Sequence, residues 1–192
     1  LDENPNKNME EEFEGAIKYQ KQHSKDNIEQ IEYMSNLLEL KNLKVDELMT
    51  HRNDISYIDL SDPIEKIIDY LKVNNFTRVP VIKKNFENVL GILDIRDLLK
   101  SEITLNELNQ DRIVDHLNDP WFIPENKMAI KQLIDFKSKR EHMALIVDEY
   151  GAVQGLISFE DIIEEIIGEV FDETDVENSY LEKLDSNNYL FN

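Results

Sequence analysis

From Asn27 to Leu40, the positions Ile28, Ile31, Met34, Ser35 and Leu38 keep helical spacing once the small Ser35 is admitted to the stripe. The pattern predicts an amphipathic helix that docks on whatever follows it. Residues 1–26 carry only a weak stripe of Phe13, Ala16 and Ile17, from which Tyr19 departs, and read as a flexible acidic arm or marginal helix. Between 45 and 100 the pattern passes from a short apolar segment to a helix, then to two strands and a second helix. The first helix opens at Asp62-Pro63-Ile64-Glu65, where Asp can cap free amides, Pro suits the first turn and Glu can reach back. Ile64, Ile67, Ile68 and Leu71 form its apolar face. Val79 to Ile82 and Val89 to Leu93 are β-branched runs separated by the polar turn 83–88, as expected of adjacent strands. Asp94 to Lys100 begins the next helix.

The same order recurs from 113 to 170, the mark of an internal duplication. Val45-Asp46-x-Leu48 matches Val114-Asp115-x-Leu117, and Ile64-x-x-Ile67-Ile68-Asp69-Tyr70 matches Ile130-x-x-Leu133-Ile134-Asp135-Phe136. Gly91-Ile92-Leu93 with Asp97-Leu98-Leu99 matches Gly155-Leu156-Ile157 with Asp161-Ile162-Ile163. The fold class that follows is α/β (α+β), with two β-α-β-β-α repeats packed about a pseudo-twofold axis behind an N-terminal helical segment. Neither repeat is long enough to bury its sheet and both helices alone, so the two should share a core. A cleft between like halves is a natural ligand site. The expected boundaries are an arm at 1–26, a run-in helix at 27–44, a first repeat at 45–101 and a linker at 102–112. A second repeat at 113–171 is followed at 172–192 by an acidic linker and the start of a truncated C-terminal domain.

Composition narrows the partners. With 41 acidic against 21 basic residues the formal charge is −20, which disfavours nucleic acid and anionic lipid. No cysteine is present, so disulfides, thiolate metal sites and cysteine nucleophiles are excluded. Apolar runs such as 143–147 are far short of the roughly 20 residues that span a bilayer. The sequence opens on Leu1 without an initiator Met or signal peptide and reads as a piece of a longer, intracellular protein.

The residues resemble the CBS domains, named after cystathionine β-synthase. More narrowly, Asp46-Glu47-Leu48-Met49-Thr50-His51-Arg52-Asn53-Asp54-Ile55 and the stretch 142–163, continued by Glu164 to Glu169, are similar to the CorC/HlyC group of hemolysin C-like and magnesium/cobalt efflux proteins. The resemblance covers about 45 to 175. It implies a regulatory module of tandem repeats that binds an adenine nucleotide (ATP, ADP or AMP), associates into homodimers and acts in the cytoplasm or at the cytoplasmic face of a membrane. A membrane transport protein is an implied partner, and 180–192 resembles the first strand-turn-strand of a C-terminal domain found in this group. Two positions depart from the group's pattern: His51 stands where Pro is usual, and Asp94 stands where the first repeat would carry Ser or Thr. Asp94 makes the first repeat's own site a poor anion binder, so one occupied cleft per chain is expected.

Within that resemblance, Gly155-Leu156-Ile157-Ser158-Phe159-Glu160-Asp161 fits the CBS nucleotide motif of a glycine, a hydroxyl and an acid. The glycine lets a ligand approach the backbone, the Ser158 hydroxyl meets phosphate or sugar, and Asp161 accepts ribose hydroxyls. Ser158 and Asp161 equally make an ordinary helix cap, and one pair of residues can do both. Thr50 and Arg78 are expected across the cleft from this motif, Thr50 near sugar and base and Arg78 on phosphate, with Arg52 a weaker candidate. For Arg78 the competing reading is an ion pair with one of the many acids. Mg²⁺ would accompany a triphosphate. Lys137, Lys139, Arg140 and His142 form a basic patch that also reads as a solvated helix end. The acids of 160–175 read as a solvated face, because Ile162, Ile163, Ile166, Ile167 and Val170 take the other side. Trp121 could stack on adenine or pack in a core or dimer contact. No ligand spacing joins the four histidines, and no catalytic motif or nucleophile set is present, so the sequence points away from an enzyme. A ligand-free pair used for dimerisation is the other expectation, and direct membrane damage finds no supporting segment.

Overall fold

The computed structural model describes residues 28–100, 108–168, 181–185 and 188–191, with the backbone alone at 28–31 and from 181 onward. The expected arm at 1–26, most of the linker and the acidic stretch 169–180 lie outside the described residues. The chain divides into two units, Leu40–Ile162 and a second made of Leu1–Glu39 with Ile163–Asn192.

The larger unit contains the first repeat and the second as far as Ile162. Its elements in chain order begin with the last residue of α1 (Ile28–Leu40), then α2 (Val45–Leu48), β1 (Thr50–His51), β2 (Ile58–Asp59), α3 (Ile64–Val73), β3 (Arg78–Lys83) and β4 (Asn85–Asp94). They continue with α4 (Ile95–Lys100), α5 (Gln110–Asp115), β5 (Leu117–Asn118), β6 (Phe122–Pro124), α6 (Ala129–Lys139), β7 (Met143–Val147), β8 (Val153–Ser158) and α7 (Phe159–Ile167), whose last turns belong to the second unit. Two four-stranded sheets result, ordered β2-β3-β4-β5 and β1-β8-β7-β6. In each, the outer pair is parallel (β2 with β3, β6 with β7) and the central hairpin antiparallel (β3 with β4, β7 with β8).

The fourth strand of each sheet comes from the other repeat. β1 opens the first repeat yet pairs antiparallel with β8, with Thr50 opposite Leu156 and His51 opposite Gly155. β5 opens the second repeat yet pairs with β4, with Ile92 opposite Asn118 and Leu93 opposite Leu117. The exchange extends beyond the strands. The Val45 amide donates to the Lys127 carbonyl (2.9 Å) and the Ala129 amide to that of Leu43 (2.9 Å), while the Gln110 side chain donates to the carbonyls of Leu60 and Asp62. The spatial halves are therefore not the sequence repeats 45–101 and 113–171. The register also moves the apparent match of Leu48 to Leu117 by one residue, since Thr50 opposite Leu156 corresponds to Asn118 opposite Ile92 and so Met49 corresponds to Leu117.

Gly91 and Gly155 permit this exchange. A Cβ on Gly91 would stand 2.7 Å from the Asn118 carbonyl oxygen and 2.8 Å from the Leu117 Cβ, and one on Gly155 would stand 2.7 Å from the Thr50 carbonyl oxygen. Only a residue without a side chain lets the incoming strand approach so closely.

Alternation along the strands sorts the core into layers. Leu93, with Val79 and Val81, packs with Ile67, Leu98 and Ile113 in the first half. Its neighbour Ile92 joins Ile55, Ile82, Phe86, Leu145, Val153 and Leu156 in a cluster shared by both sheets. Burying such side chains stabilises by about 1.5–3 kcal/mol each, and the shared layer is why neither half stands alone.

Three local expectations are corrected. Asp62 does not cap α3; its Oδ2 accepts from Lys66 Nζ (2.8 Å), and the helix starts after Pro63 without a side-chain cap. The turn between β3 and β4 is tighter than 83–88, because β4 already begins at Asn85 and only Lys84 takes a positive φ (74°). Phe86 explains it: buried in the shared layer and edge-on to Tyr57 at 5.1 Å, it draws its polar neighbours into the strand. The expected linker 102–112 is also not all linker, with Asn109 accepting from the Arg112 amide to cap α5, which begins at Gln110.

In the second unit, α1 matches the predicted run-in helix, but Met34 of its stripe is 44% exposed, along with Tyr33 and Leu37. Asn36 Nδ2 donates to the Ile166 carbonyl (3.0 Å). The expected strand-turn-strand near the end is an antiparallel hairpin of β9 (Leu181–Asp185) and β10 (Asn188–Phe191).

Candidate functional site

Two strands from different sheets bring Thr50 and Arg78 onto one cavity of about 80 Å³. Arg78 starts β3 and Thr50 starts β1. Ile55, Pro80, Met143 and Leu156 supply an apolar wall, and Asp54, Ser56 and Phe76 complete the lining. The arrangement can enclose a flat apolar group and offer a hydroxyl and a guanidinium at its edge.

Ser158 and Asp161 do not line this cavity. Ser158 lies two residues beyond Leu156 on β8, hence on the same face one pleat away, and it sits opposite Met143 across the β7 ladder. The expectation that Thr50 faces the motif from across a cleft is corrected: β1 belongs to the sheet that carries Ser158, and Thr50 and Ser158 flank Leu156. Arg78 is the residue contributed by the opposite sheet.

The capping reading of the motif is realised in the geometry. The Ser158 amide donates to Asp161 Oδ2 (2.7 Å), and the Asp161 amide donates to Ser158 Oγ (3.0 Å). This reciprocal pair satisfies two donors at the start of α7 and holds both side chains in fixed rotamers. Among the described residues Asp161 Oδ1 has no partner, which leaves an acceptor oxygen. The missing side chain of Gly155 admits the Thr50 carbonyl, a structural role beside the one expected of it.

For Arg78, the ion-pair reading is realised too, and its partner is the departing residue Asp94. Arg78 Nε lies 3.2 Å from Asp94 Oδ2, and the two are cross-strand partners in the ladder. Asp94 Oδ1 accepts the Arg96 amide (3.0 Å), so the carboxylate is held from two sides at the strand-to-helix junction. Arg52 is absent from the cavity lining.

Trp121 packs edge-on against Phe136 (5.4 Å, 89°), with Lys139 Nζ 4.2 Å and Lys127 Nζ 5.4 Å from its ring centroid. Those contacts engage it in packing rather than in the cavity. The basic patch is divided: Lys139 sits over Trp121, His142 Nδ1 lies 3.3 Å from Glu160 Oε1, and Arg140 ends α6 at φ 59°. Glu160, Glu164 and Glu165 are exposed on α7 while Ile162 is fully buried. Among the described residues no group of acids and histidines could hold a metal ion, and no helix is long and apolar enough to cross a membrane. Sequence reasoning missed Met143, Leu156 and Asp54. The first two read only as core strand residues, and Asp54 as one acid among 41.

Two mutually exchanged β-α-β-β-α halves with a cleft at their junction define a CBS-domain pair. The CBS domain model matches residues 45–103. Hemolysin C of Brachyspira hyodysenteriae is 33% identical over 159 residues (83% of this chain, 58% of that protein). The magnesium and cobalt efflux protein CorC of Pasteurella multocida is 35% identical over 146 residues (76% of this chain, 48% of that protein). The chain thus spans about half the length of these relatives. Among solved structures, the CBS domain of a bacterial CNNM/CorC family Mg²⁺ transporter superposes with TM-score 0.73 at 30% identity, covering 85% of this chain and 98% of that one. The same domain type in complex with ATP gives TM-score 0.63 at 32% identity (72% and 97% covered), and a CBS-domain pair with bound AMP from Klebsiella pneumoniae gives 0.60 at 30% (66% and 99%). The chain belongs to the CBS-domain modules of the hemolysin C/CorC (CNNM/CorC) family.

Proposed function

We propose that this module is a regulatory sensor that binds one adenine nucleotide at the Thr50–Arg78 cavity and acts by occupancy rather than by catalysis. One observation carries the reading. Thr50 and Arg78, from different sheets, converge on an apolar wall of Ile55, Pro80, Met143 and Leu156, in a family with ATP- and AMP-bound members. The base lies against that wall, Arg78 meets phosphate, and Ser158 with the free oxygen of Asp161 meets the ribose one pleat away. At about 80 Å³ the cavity holds only part of such a ligand, since sites for whole ligands run to roughly 300 Å³ or more. Binding therefore shifts the unbranched Met143 and the exposed Phe76. Mg²⁺ accompanies a triphosphate to offset repulsion in a chain of charge −20. The module pairs with a second copy and works on the cytoplasmic side of a longer protein concerned with magnesium or cobalt, to which it passes nucleotide occupancy.

Isothermal titration with ATP plus Mg²⁺, and separately with AMP, tests this. Saturable binding is expected, weakened about tenfold by Asp161→Ala, the loss of one charge-assisted contact. No heat with any adenine nucleotide would overturn it. The Arg78–Asp94 ion pair favours a second reading, a scaffold whose cleft takes no ligand. Sedimentation showing a dimer, with no binding of ATP or AMP in titration, would support the scaffold.

A further inference from the structure

The cavity's charge is set by a residue behind it. Among the described residues that line the cavity Arg78 is the only cation, and its side chain is 22% exposed. Asp94 holds its Nε at 3.2 Å and is itself 10% exposed in its side chain, with the Arg96 amide fixing the other oxygen. The Arg96 guanidinium is 3.9 Å away but 61% exposed, so water screens it. Asp54 adds a second carboxylate on the lining, but it is exposed and screened by water as Arg96 is. The charges that an entering phosphate meets through a poorly screening medium are therefore Arg78 and the Asp94 behind it.

We propose that Asp94 is the charge-selecting residue of this cavity: by neutralising Arg78 from behind, it disfavours metal-free triphosphate and selects the monophosphate. The inference rests on reading the cavity as an adenine-nucleotide site. Incoming phosphate must compete with Asp94 for the guanidinium, and repulsion grows with ligand charge, from none for adenosine through about two for AMP to about four for ATP without Mg²⁺. The pseudo-twofold supports the assignment. Arg78 opposite Asp94 on β3 and β4 corresponds to Met143 opposite Ser158 on β7 and β8. A neutral side chain is thus compatible with this junction, and the acid is a property of position 94 alone.

Titration with adenosine, AMP and ATP in EDTA at fixed ionic strength tests the proposal on the protein and on Asp94→Asn, which keeps an acceptor for the Arg96 amide. The unsubstituted protein should bind AMP more tightly than metal-free ATP. In Asp94→Asn, affinity should rise about tenfold for ATP and about threefold for AMP, and stay unchanged for adenosine. Adding Arg78→Met should abolish the gain. Equal shifts for all three ligands, no shift, or a parent protein that prefers metal-free ATP would overturn it. If neither protein binds any of the three while both melt cooperatively, the nucleotide reading itself falls. Should Asp94→Asn not fold, Asp94→Ser, which copies position 158, answers the same question.

Discussion

The two strand-to-helix junctions, one at Asp94 and one at Ser158, share a backbone and differ in chemistry. In each, the first helical amide donates to a carbonyl one strand away, Ile95 to Thr77 and Phe159 to His142, both at 2.8 Å. At the second junction a hydroxyl and an acid three residues on bond reciprocally. At the first the acid stands in the hydroxyl's place and bonds Arg78, while Asp97, the counterpart of Asp161, turns out to Lys100 at 3.1 Å. A carboxylate at position 94 accepts but cannot host a second carboxylate beside it, so Asp97 is left to solvent. Replacing the hydroxyl by a second acid thus turns a cap with a spare acceptor into a closed ion pair.

The glycines test the shared backbone most severely. Gly91→Ala should cost about 3 kcal/mol in denaturant unfolding, because rigid backbone and a Cβ occupy the space. Gly155→Ala should cost less once Met49→Ala is added, since Met49 is the flexible part of its obstruction; equal rescue at Gly91 would break the comparison. Next in size is Asp94→Ala, expected to lose about 2 kcal/mol by leaving Arg78 and the Arg96 amide unpaired. Ser158→Ala removes one cap and should lose about 1 kcal/mol, so a reversed order in thermal or urea unfolding would refute the contrast.

The smallest effect separates the two hairpins. The Asp148 carboxyl is held below its ordinary value by the Ala152 amide, with help from the Tyr150 amide, the Gln154 side chain and the Gly151 amide, all in the β7–β8 turn or the start of β8. Asp59 is pushed up by burial, but amides of Lys84 and Ser61 outweigh it and leave its pKa lowered, and through Lys84 it anchors the β3–β4 turn from a different strand. For a depressed carboxyl, stability is complete above the unfolded value, about 3.9, and is lost as pH falls through the folded one. The protection of the 149–154 amides relative to their intrinsic exchange should therefore fall below about pH 4, and Asp148→Asn should flatten that dependence there while leaving residues 83–86 unchanged. An unchanged acid response in the variant would show that Asp148 does not set it.

Sequence alone carried the duplication and the order of elements, because both rest on local spacing of apolar residues and turn formers, while the family and the hairpin at the end came from resemblance to known motifs. It also carried the asymmetry at Asp94, visible as an acid where its repeat has a hydroxyl. Thr50 and Arg78 were recognisable as candidates, but not their company. Met143 and Leu156 look like any buried strand residues until the sheets are assembled.

What tertiary structure alone decided was which strand joins which sheet and which charge meets which. β1 and β5 are two-residue strands whose pairing energy is too small to announce a partner, and their exchange follows from close approach to Gly155 and Gly91. Arg78 had 41 acids to choose from, and only the β3–β4 register set Asp94 opposite it. Local preference is written residue by residue along the chain, whereas a long-range pairing depends on how two distant segments stack on a shared core.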